Sequence, residues 1–302
     1  MLRAVFPFNT FNLIGLVFFC CLVSSCAKVE DSTETTSDTL DLLNVYDLTY
    51  PLPELLVSGH RGIKNHDELP ENCLETFMKL KSEGNMIIEC DVLMTRDSVL
   101  ILMHDNTLER TTTGNGVVRE INWSDMAEHK LTTRKGETLF NIPRFIEILE
   151  WAVESKTILS VDIKRSVPVE LVIDLIRQAN ATEYCMLISY TLNQAEKVYR
   201  LAPEFMQSVS VRNLEEHHRW KQSMIPPSRT IAFTGTRRSP TALYQKLHAD
   251  GVACIFGTLG NIDAQAASQG DEIYIELIEE GVDIFATDRP LALLKILKAY
   301  KY

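Results

Sequence analysis

The sequence predicts an α/β fold, a single (β/α)8 barrel of the TIM type with a small insertion after an early strand. Three observations lead there. From Leu55 onward, short apolar runs alternate with longer stretches of helical periodicity, the pattern of successive βα units. Polar residues gather at the C-terminal ends of several of those runs, where a parallel barrel builds its site from βα loops. The composition, 45% hydrophobic and 24% charged over 302 residues, is that of a globular chain able to bury a large core. No internal repeat divides the chain, and one barrel explains the pattern better than two domains.

The N-terminal residues stand outside that pattern. Arg3 precedes an apolar run from Leu13 to Val23, which Ser24, Ser25 and Cys26 follow. The run is about 11 residues long, short of the ~20 needed to span a bilayer as a helix, so residues 1–25 read as a secretion signal. Val23-Ser24-Ser25-Cys26 resembles the bacterial lipoprotein signal, which makes Cys26 the expected lipidation site. Residues 26–50 are expected to form a flexible tether, because the stretch from Lys28 to Asp41 is too polar to bury much surface. The barrel is expected over 51–302. Such a protein would be exported and lipid-anchored to a bacterial membrane, on its periplasmic or cell-surface face.

Nine candidate strands follow: Leu55–Gly59, Met86–Val92, Val99–His104, Thr157–Ile163, Cys185–Ser189, Met206–Ser210, Thr230–Thr234, Val252–Phe256 and Asp283–Thr287. A barrel needs one fewer. The adjacent pair Met86–Val92 and Val99–His104 lacks a crossover helix and is joined by Thr95-Arg96-Asp97-Ser98, so one of the two is expected to form a hairpin or an unusual βα step. Helices are expected over Cys73–Glu83, Val169–Ala179 and Thr191–Ala202. The Thr/Gly-rich segment from Asn106 to Asn141 reads as an inserted excursion before a helix at Pro143–Glu154. Cys73, Cys90, Cys185 and Cys254 show no metal or redox spacing. Cys90 and Cys254 lie in apolar runs, where buried free thiols are expected.

The polar ends of the strands carry the chemistry. His60 ends the first, Glu89 and Asp91 the second, His104 and Asp105 the third, Asp162 and Lys164 the fourth. Side chains two apart on a strand share a face, so Glu89 projects with Asp91 and Asp162 with Lys164. Singly, each has a plainer reading as a solvated carboxylate, an ion pair or an ordinary histidine. Jointly, carboxylates among apolar neighbours call for a countercharge, and three of them without a cysteine pair favour a hard cation, calcium or magnesium, over zinc. His66 is expected in a solvated loop, His217 and His218 on an exposed helix face, and Asp288 as the cap of the last helix.

Ser58-Gly59-His60-Arg61-Gly62, Leu69-Pro70-Glu71-Asn72, Glu89-Cys90-Asp91-Val92, His104-Asp105, Arg110-Thr111-Thr112-Thr113-Gly114-Asn115-Gly116, Val161-Asp162-Ile163-Lys164 and Gly281-Val282-Asp283 with Thr287-Asp288-Arg289-Pro290 resemble the motifs of glycerophosphodiester phosphodiesterases. The resemblance covers about Leu55 to Leu294. It implies metal-dependent hydrolysis of a glycerophosphodiester to an alcohol and glycerol 3-phosphate. It further implies His60 and His104 as general acid and base, and Glu89, Asp91 and Asp162 as metal ligands. Arg61 and Lys164 would lie near the phosphate, with Glu71 and Asn72 in support. Whether water or the glycerol hydroxyl attacks is left open. Three departures stand out: Asp162 where many members carry Glu, Cys73 where Thr is usual, and Gly257–Asp263 in place of a Trp-Thr-Val-Asn type segment.

Two other functions remain in view: a related phospholipase of the sphingomyelinase D or phosphatidylinositol phospholipase C kind, and a non-catalytic lipoprotein that binds phosphate esters. The first needs an apolar rim, for which the insertion offers only Trp123, Val117 and Val118. The expected partners are a small-molecule glycerophosphodiester and, through the N-terminal lipid, a membrane; the protein is expected to be a monomer. A formal net charge of −11 and the lack of a basic stripe argue against nucleic acid.

Overall fold

The computed structural model describes residues 44–300; residues 1–25, expected to be a signal, and Cys26 lie outside the described residues. The strands are β1 (Leu56–Gly59), β2 (Ile87–Met94), β3 (Leu100–Leu102), β4 (Lys130–Thr133), β5 (Gly136–Asn141), β6 (Leu159–Ile163), β7 (Cys185–Ser189), β8 (Met206–Ser210), β9 (Thr230–Phe233), β10 (Cys254–Gly257) and β11 (Ile284–Thr287). The helices are α1 (Leu74–Glu83), α2 (Trp123–Met126), α3 (Phe145–Ser155), α4 (Val169–Gln178), α5 (Leu192–Leu201), α6 (Leu214–Lys221), α7 (Thr241–Ala249), α8 (Asn261–Gln269), α9 (Glu272–Glu280) and α10 (Pro290–Ala299). Strands β1, β2 and β6 to β11 run parallel, and β1 pairs with both β2 and β11, which closes the barrel.

The helices form where the sequence presents an apolar stripe. In α3, Phe145, Ile148, Leu149 and Ala152 are buried at helical spacing. In α5, the Thr191 side chain accepts from the Gln194 amide and caps the first turn. The outward side chains of the strands, such as Ile88, Cys90, Val161 and Leu187, pack beneath this helical layer. The four cysteines of the barrel are buried free thiols.

Period two sorts the barrel interior into layers. The lowest comprises Leu56, Ile87, Ile158, Met186, Met206, Ile231, Ile255 and Ile284, contributed around the ring. Two residues further on stand Ser58, Glu89, Ser160, Ser208 and Ala286, and two beyond those His60, Asp91, Asp162, Tyr190 and Ser210. An apolar floor therefore supports a layer in which Glu89 stands among serines, Ala286, Ile188 and Phe233, and the space above that layer is what the other functional residues enclose.

One expectation is corrected and one is resolved. The tether does not extend to residue 50: Val45–Asp47 form a 3-10 turn, capped by Asn44, and Val45 and Leu48 are fully buried against the apolar floor. Three apolar residues in Val45-Tyr46-Asp47-Leu48, beside a polar stretch, were enough to order the segment. The expected hairpin falls at the third candidate strand, which is not a barrel stave. β3 runs antiparallel to β2, with Val92 opposite Leu102 and Met94 opposite Leu100. β2 overshoots its parallel partner β6, which it follows only from Ile88 to Val92. The hairpin climbs past the rim and returns, and His104 thus arrives back at the barrel mouth.

The inserted segment contains α2 and the β4–β5 hairpin, which Lys135 ties to the loop after β1 through Glu68 at 2.8 Å. Its expected rim residues turn inward: Val118 is buried, and Trp123 packs against the core. Leu139, at 89% exposure, is its outward apolar side chain instead.

Candidate active site

The turn after β1 is built by its glycines. At Gly59 a Cβ would sit 2.3 Å from the Gly62 carbonyl oxygen, and at Gly62 (φ 74°) it would strike the Phe77 ring at 2.6 Å. Between them Arg61 takes φ 56°, a left-handed conformation costly for a side chain of that size. Its amide is thereby aimed at Glu89, donating to Oε2 at 2.6 Å. Asn72 is also left-handed, at φ 52°, which asparagine tolerates well. Its side chain then clasps Asp91 twice, Nδ2 donating to Oδ2 at 2.7 Å and Oδ1 accepting from the Asp91 amide at 3.0 Å.

Glu89, Asp91 and Asp162 converge at the mouth, all buried, each with a carboxylate oxygen within 4.8 Å of the others. Burial, together with Asp91 and Asp162, pushes the Glu89 carboxyl well above the usual range. Burial also acts to raise Asp91, but the Lys164 ammonium, Asn72 and Arg61 outweigh it and hold this carboxyl low. Lys164 Nζ bridges Asp91 Oδ1 at 2.5 Å and Asp162 Oδ2 at 2.6 Å. Asp162 Oδ1 is buried without a hydrogen-bond partner. A buried carboxylate oxygen without a donor is costly. Together with the raised Glu89 carboxyl, it shows that Lys164 leaves the cluster short of positive charge, and an oxygen-bound divalent cation fits these residues.

A histidine stands on either side. His60 Nδ1 lies 2.6 Å from Asp288 Oδ1, and His104 Nδ1 lies 2.6 Å from Asp105 Oδ1. Burial acts to raise Asp288, yet its bond to His60 prevails and lowers the carboxyl. The Arg110 hydrogen bond, chiefly, brings Asp105 down to about 2. Both carboxylates are thus ionised acceptors for an Nδ1–H of the neighbouring histidine, which leaves the two Nε2 atoms as the groups for proton transfer.

Behind His104 runs a chain of ion pairs. Arg110 binds Asp105 through Nε at 2.5 Å and Glu71 through both terminal nitrogens at 2.9 and 2.7 Å. Glu71 Oε1 also accepts from Arg61 at 2.9 Å, and Arg61 Nε lies 3.5 Å from Asp91. Behind His60, buried Asp263 accepts from the Asp288 amide at 2.7 Å, Thr287 Oγ1 at 3.0 Å and Tyr274 at 2.8 Å.

The structure places the expected residues as follows. Among the four described residues expected beside the substrate, Lys164 lines the central cavity with His60, His104 and the three carboxylates. Glu71 and Asn72 contact Arg61 and Asp91 and support the cluster as expected, while Arg61 pairs with Glu71 and keeps a buried Nε without a hydrogen-bond partner. Asp288 is not a helix cap: Arg289 occupies that position, Pro290 starts α10, and Asp288 turns to His60. Sequence reasoning missed Tyr190, which continues the inward face of β7 two residues beyond Ile188, and gave no role to Arg110, although it opens one of the motifs of the resemblance. Burial, and secondarily Asp162, raises the Tyr190 phenol, keeping it protonated.

The remaining histidines serve structure. His66 accepts from two backbone amides of its own loop. His217 is not on an exposed face; its Nε2 lies 2.8 Å from Asp250, in a half-buried pair. His248, Cys254 and Asp283 meet at the opposite end of the barrel, where Asp283 is already held by His248 at 2.9 Å and the Cys254 amide at 2.7 Å.

Residues 60–253 match the model of the glycerophosphoryl diester phosphodiesterase family. The chain belongs to this family. A glycerophosphoryl diester phosphodiesterase from Parabacteroides distasonis is 33% identical, with a TM-score of 0.76 over 82% of this chain and 87% of its own. A glycerophosphodiester phosphodiesterase from Caldanaerobacter subterraneus is 28% identical over 155 residues, 49% of this chain and 63% of that relative. The match to this relative thus spans less than two thirds of its length. A phosphodiesterase from Oleispira antarctica, solved with the product sn-glycerol-3-phosphate, shares the fold at 17% identity, with a TM-score of 0.65 over 81% of this chain and 97% of its own. The family match begins at His60 and takes in the carboxylates, both histidines and Lys164.

Proposed function

We propose that this chain hydrolyses glycerophosphodiesters to an alcohol and glycerol 3-phosphate, with His60 and His104 as the proton-transfer pair. The observation that carries the reading is the arrangement of two histidines, each held through Nδ1 by an ionised carboxylate, around one carboxylate cluster. Family membership supports it, as does the glycerol 3-phosphate bound by the Oleispira antarctica relative.

A phosphodiester resists attack until its charge is screened and its leaving oxygen protonated. Glu89, Asp91 and Asp162 would hold a divalent cation, calcium or magnesium, which supplies electrophilic stabilisation of the phosphoryl oxygens when bound. One histidine takes the proton of the attacking hydroxyl, from water or from the substrate's own glycerol, and the other protonates the departing alkoxide. With a carboxylate at each Nδ1, the Nε2 atoms make these transfers: the base enters with a lone pair on Nε2 and the acid with a proton on it. Lys164 holds Asp91 and Asp162 in place and keeps one cationic charge at the cavity wall.

Phosphorus NMR of a glycerophosphodiester incubated with the protein tests this. Conversion to glycerol 3-phosphate that stops in His60→Ala and His104→Ala is expected. Undiminished conversion by either folded variant would refute the pairing. A transient cyclic phosphate would identify internal attack by the glycerol hydroxyl.

A further inference from the structure

A second set of metal-ligating side chains lies far from the mouth, at the lower end of the barrel. His248 stands in the last turn of α7, Cys254 opens β10 and Asp283 directly precedes β11. A nitrogen of His248, the Cys254 sulfur and a carboxylate oxygen of Asp283 lie within 4.8 Å of one another. Asp283 is 35 residues from His248 and 29 from Cys254, and the parallel pairing of β10 with β11 is what joins them.

The charges here are incompletely matched. Asp283 is 8% exposed, and among the described residues no lysine or arginine pairs with it. Its countercharge is His248, at 2.9 Å, when that ring is protonated. A buried carboxylate beside a neutral ring is under-compensated. The Cys254 thiol is fully buried, and the acceptor it reaches is the Val252 carbonyl at 3.9 Å, a weak contact. The imidazole is held in place: the Tyr50 ring stacks on it with centroids 3.8 Å and planes 6° apart. The Tyr50 amide in turn donates to the Gly251 carbonyl at 3.2 Å. Packing of this kind pre-orients a ligand before any ion arrives.

We infer that His248, Cys254 and Asp283 form a zinc site, separate from the carboxylate cluster at the mouth. Imidazole, thiolate and carboxylate together suit a borderline-soft ion, whereas the all-oxygen cluster suits a hard one. Three protein ligands leave a tetrahedral ion one position for water, which the partial exposure of His248 admits. Burial, and the Asp283 charge after it, keep the proton on the Cys254 sulfur. Binding therefore forms a zinc–sulfur bond as the S–H bond breaks, and the proton passes to solvent. The hydrogen bond between His248 and Asp283 gives way to one bond from each to the ion. Bound there, zinc ties α7 to β10 and β11 under the Tyr50 ring and takes no part in the chemistry at the mouth.

Cobalt(II) titration of the full chain tests this, because cobalt substitutes for zinc and a cobalt–thiolate bond gives a charge-transfer band that oxygen ligands do not. At stoichiometric cobalt the band is expected in the wild type and in Asp162→Asn, and is expected to be lost in Cys254→Ser and in His248→Ala. In the Asp162→Asn background, zinc should still raise the melting temperature, and adding His248→Ala should abolish that rise. No band in the folded wild type, or a band retained by folded Cys254→Ser, would overturn the inference. If Cys254→Ser does not fold, a band retained by His248→Ala, which leaves the buried thiol in place, overturns it instead.

Discussion

His60 Nδ1 and Asp288 Oδ1, 228 residues apart in sequence, meet at 2.6 Å because β1 and β11 are neighbours in the closed barrel. The pair fixes the histidine's tautomer and ring orientation, and Asp263 fixes the backbone of Asp288 in turn. Replacing Asp288 by Asn allows the wrong tautomer with little change in shape. In Asp288→Asn, kcat should fall about 10²-fold or more with KM nearly unchanged. In a His60→Ala background the same change should cost little further, because the two act as one unit. Equal, multiplying losses would show that Asp288 acts elsewhere.

The Asp105 pair gives a pH signature. Its folded value, about 2, lies below the ordinary 3.8, so the folded state binds fewer protons than the unfolded state between those values. The stabilisation is fully present above about pH 4 and disappears as pH falls through about 2. The pair is partly exposed and screened by solvent, so the effect is small. The difference in melting temperature between wild type and Asp105→Asn should be constant above about pH 4 and shrink toward pH 2. A difference that grows on acidification would contradict the assigned pairing.

Cation binding should register as stability as well as activity. A ligand that binds only the folded state at about 100 times its Kd adds about 2.7 kcal/mol. Calcium or magnesium is expected to raise the melting temperature of the wild type, and Asp162→Asn should blunt that rise. An equal rise in the variant would place the cation elsewhere.

The apolar floor should matter for folding and not for chemistry. Leu48→Ala opens a cavity beneath the barrel and should cost about 2–5 kcal/mol in urea unfolding. Because the floor lies two layers below His60, kcat should be unchanged at temperatures where the variant is folded. A kcat loss matching that of a catalytic variant would tie the floor to the site.

The barrel was legible because each stave couples a short apolar run to a helical stretch, and the carboxylates because period two places Glu89 with Asp91 on one face. The hairpin was half legible. Thr95 to Ser98 marked a turn, but apolar run length alone cannot say which way Leu100–Leu102 runs. Asp288 was misread despite a usable signal: Pro290 at the first helical position makes Arg289 the cap, leaving Asp288 free for another partner. The supporting role of Glu71 was expected, but its partner was not legible, since Arg110 reaches back across 39 residues to pair with it. The cluster of His248, Cys254 and Asp283 was equally hidden, because its members come from different elements that only the closed barrel brings together.

Hydrolysis of a glycerophosphodiester panel, followed as glycerol 3-phosphate release before and after chelation, bears most directly on the site. Release that stops with chelator, returns with calcium or magnesium, and is lost in Glu89→Ala and His104→Ala is the expected result. Release untouched by chelation, or retained by folded His104→Ala, would contradict a cation-bound phosphodiester flanked by two working histidines.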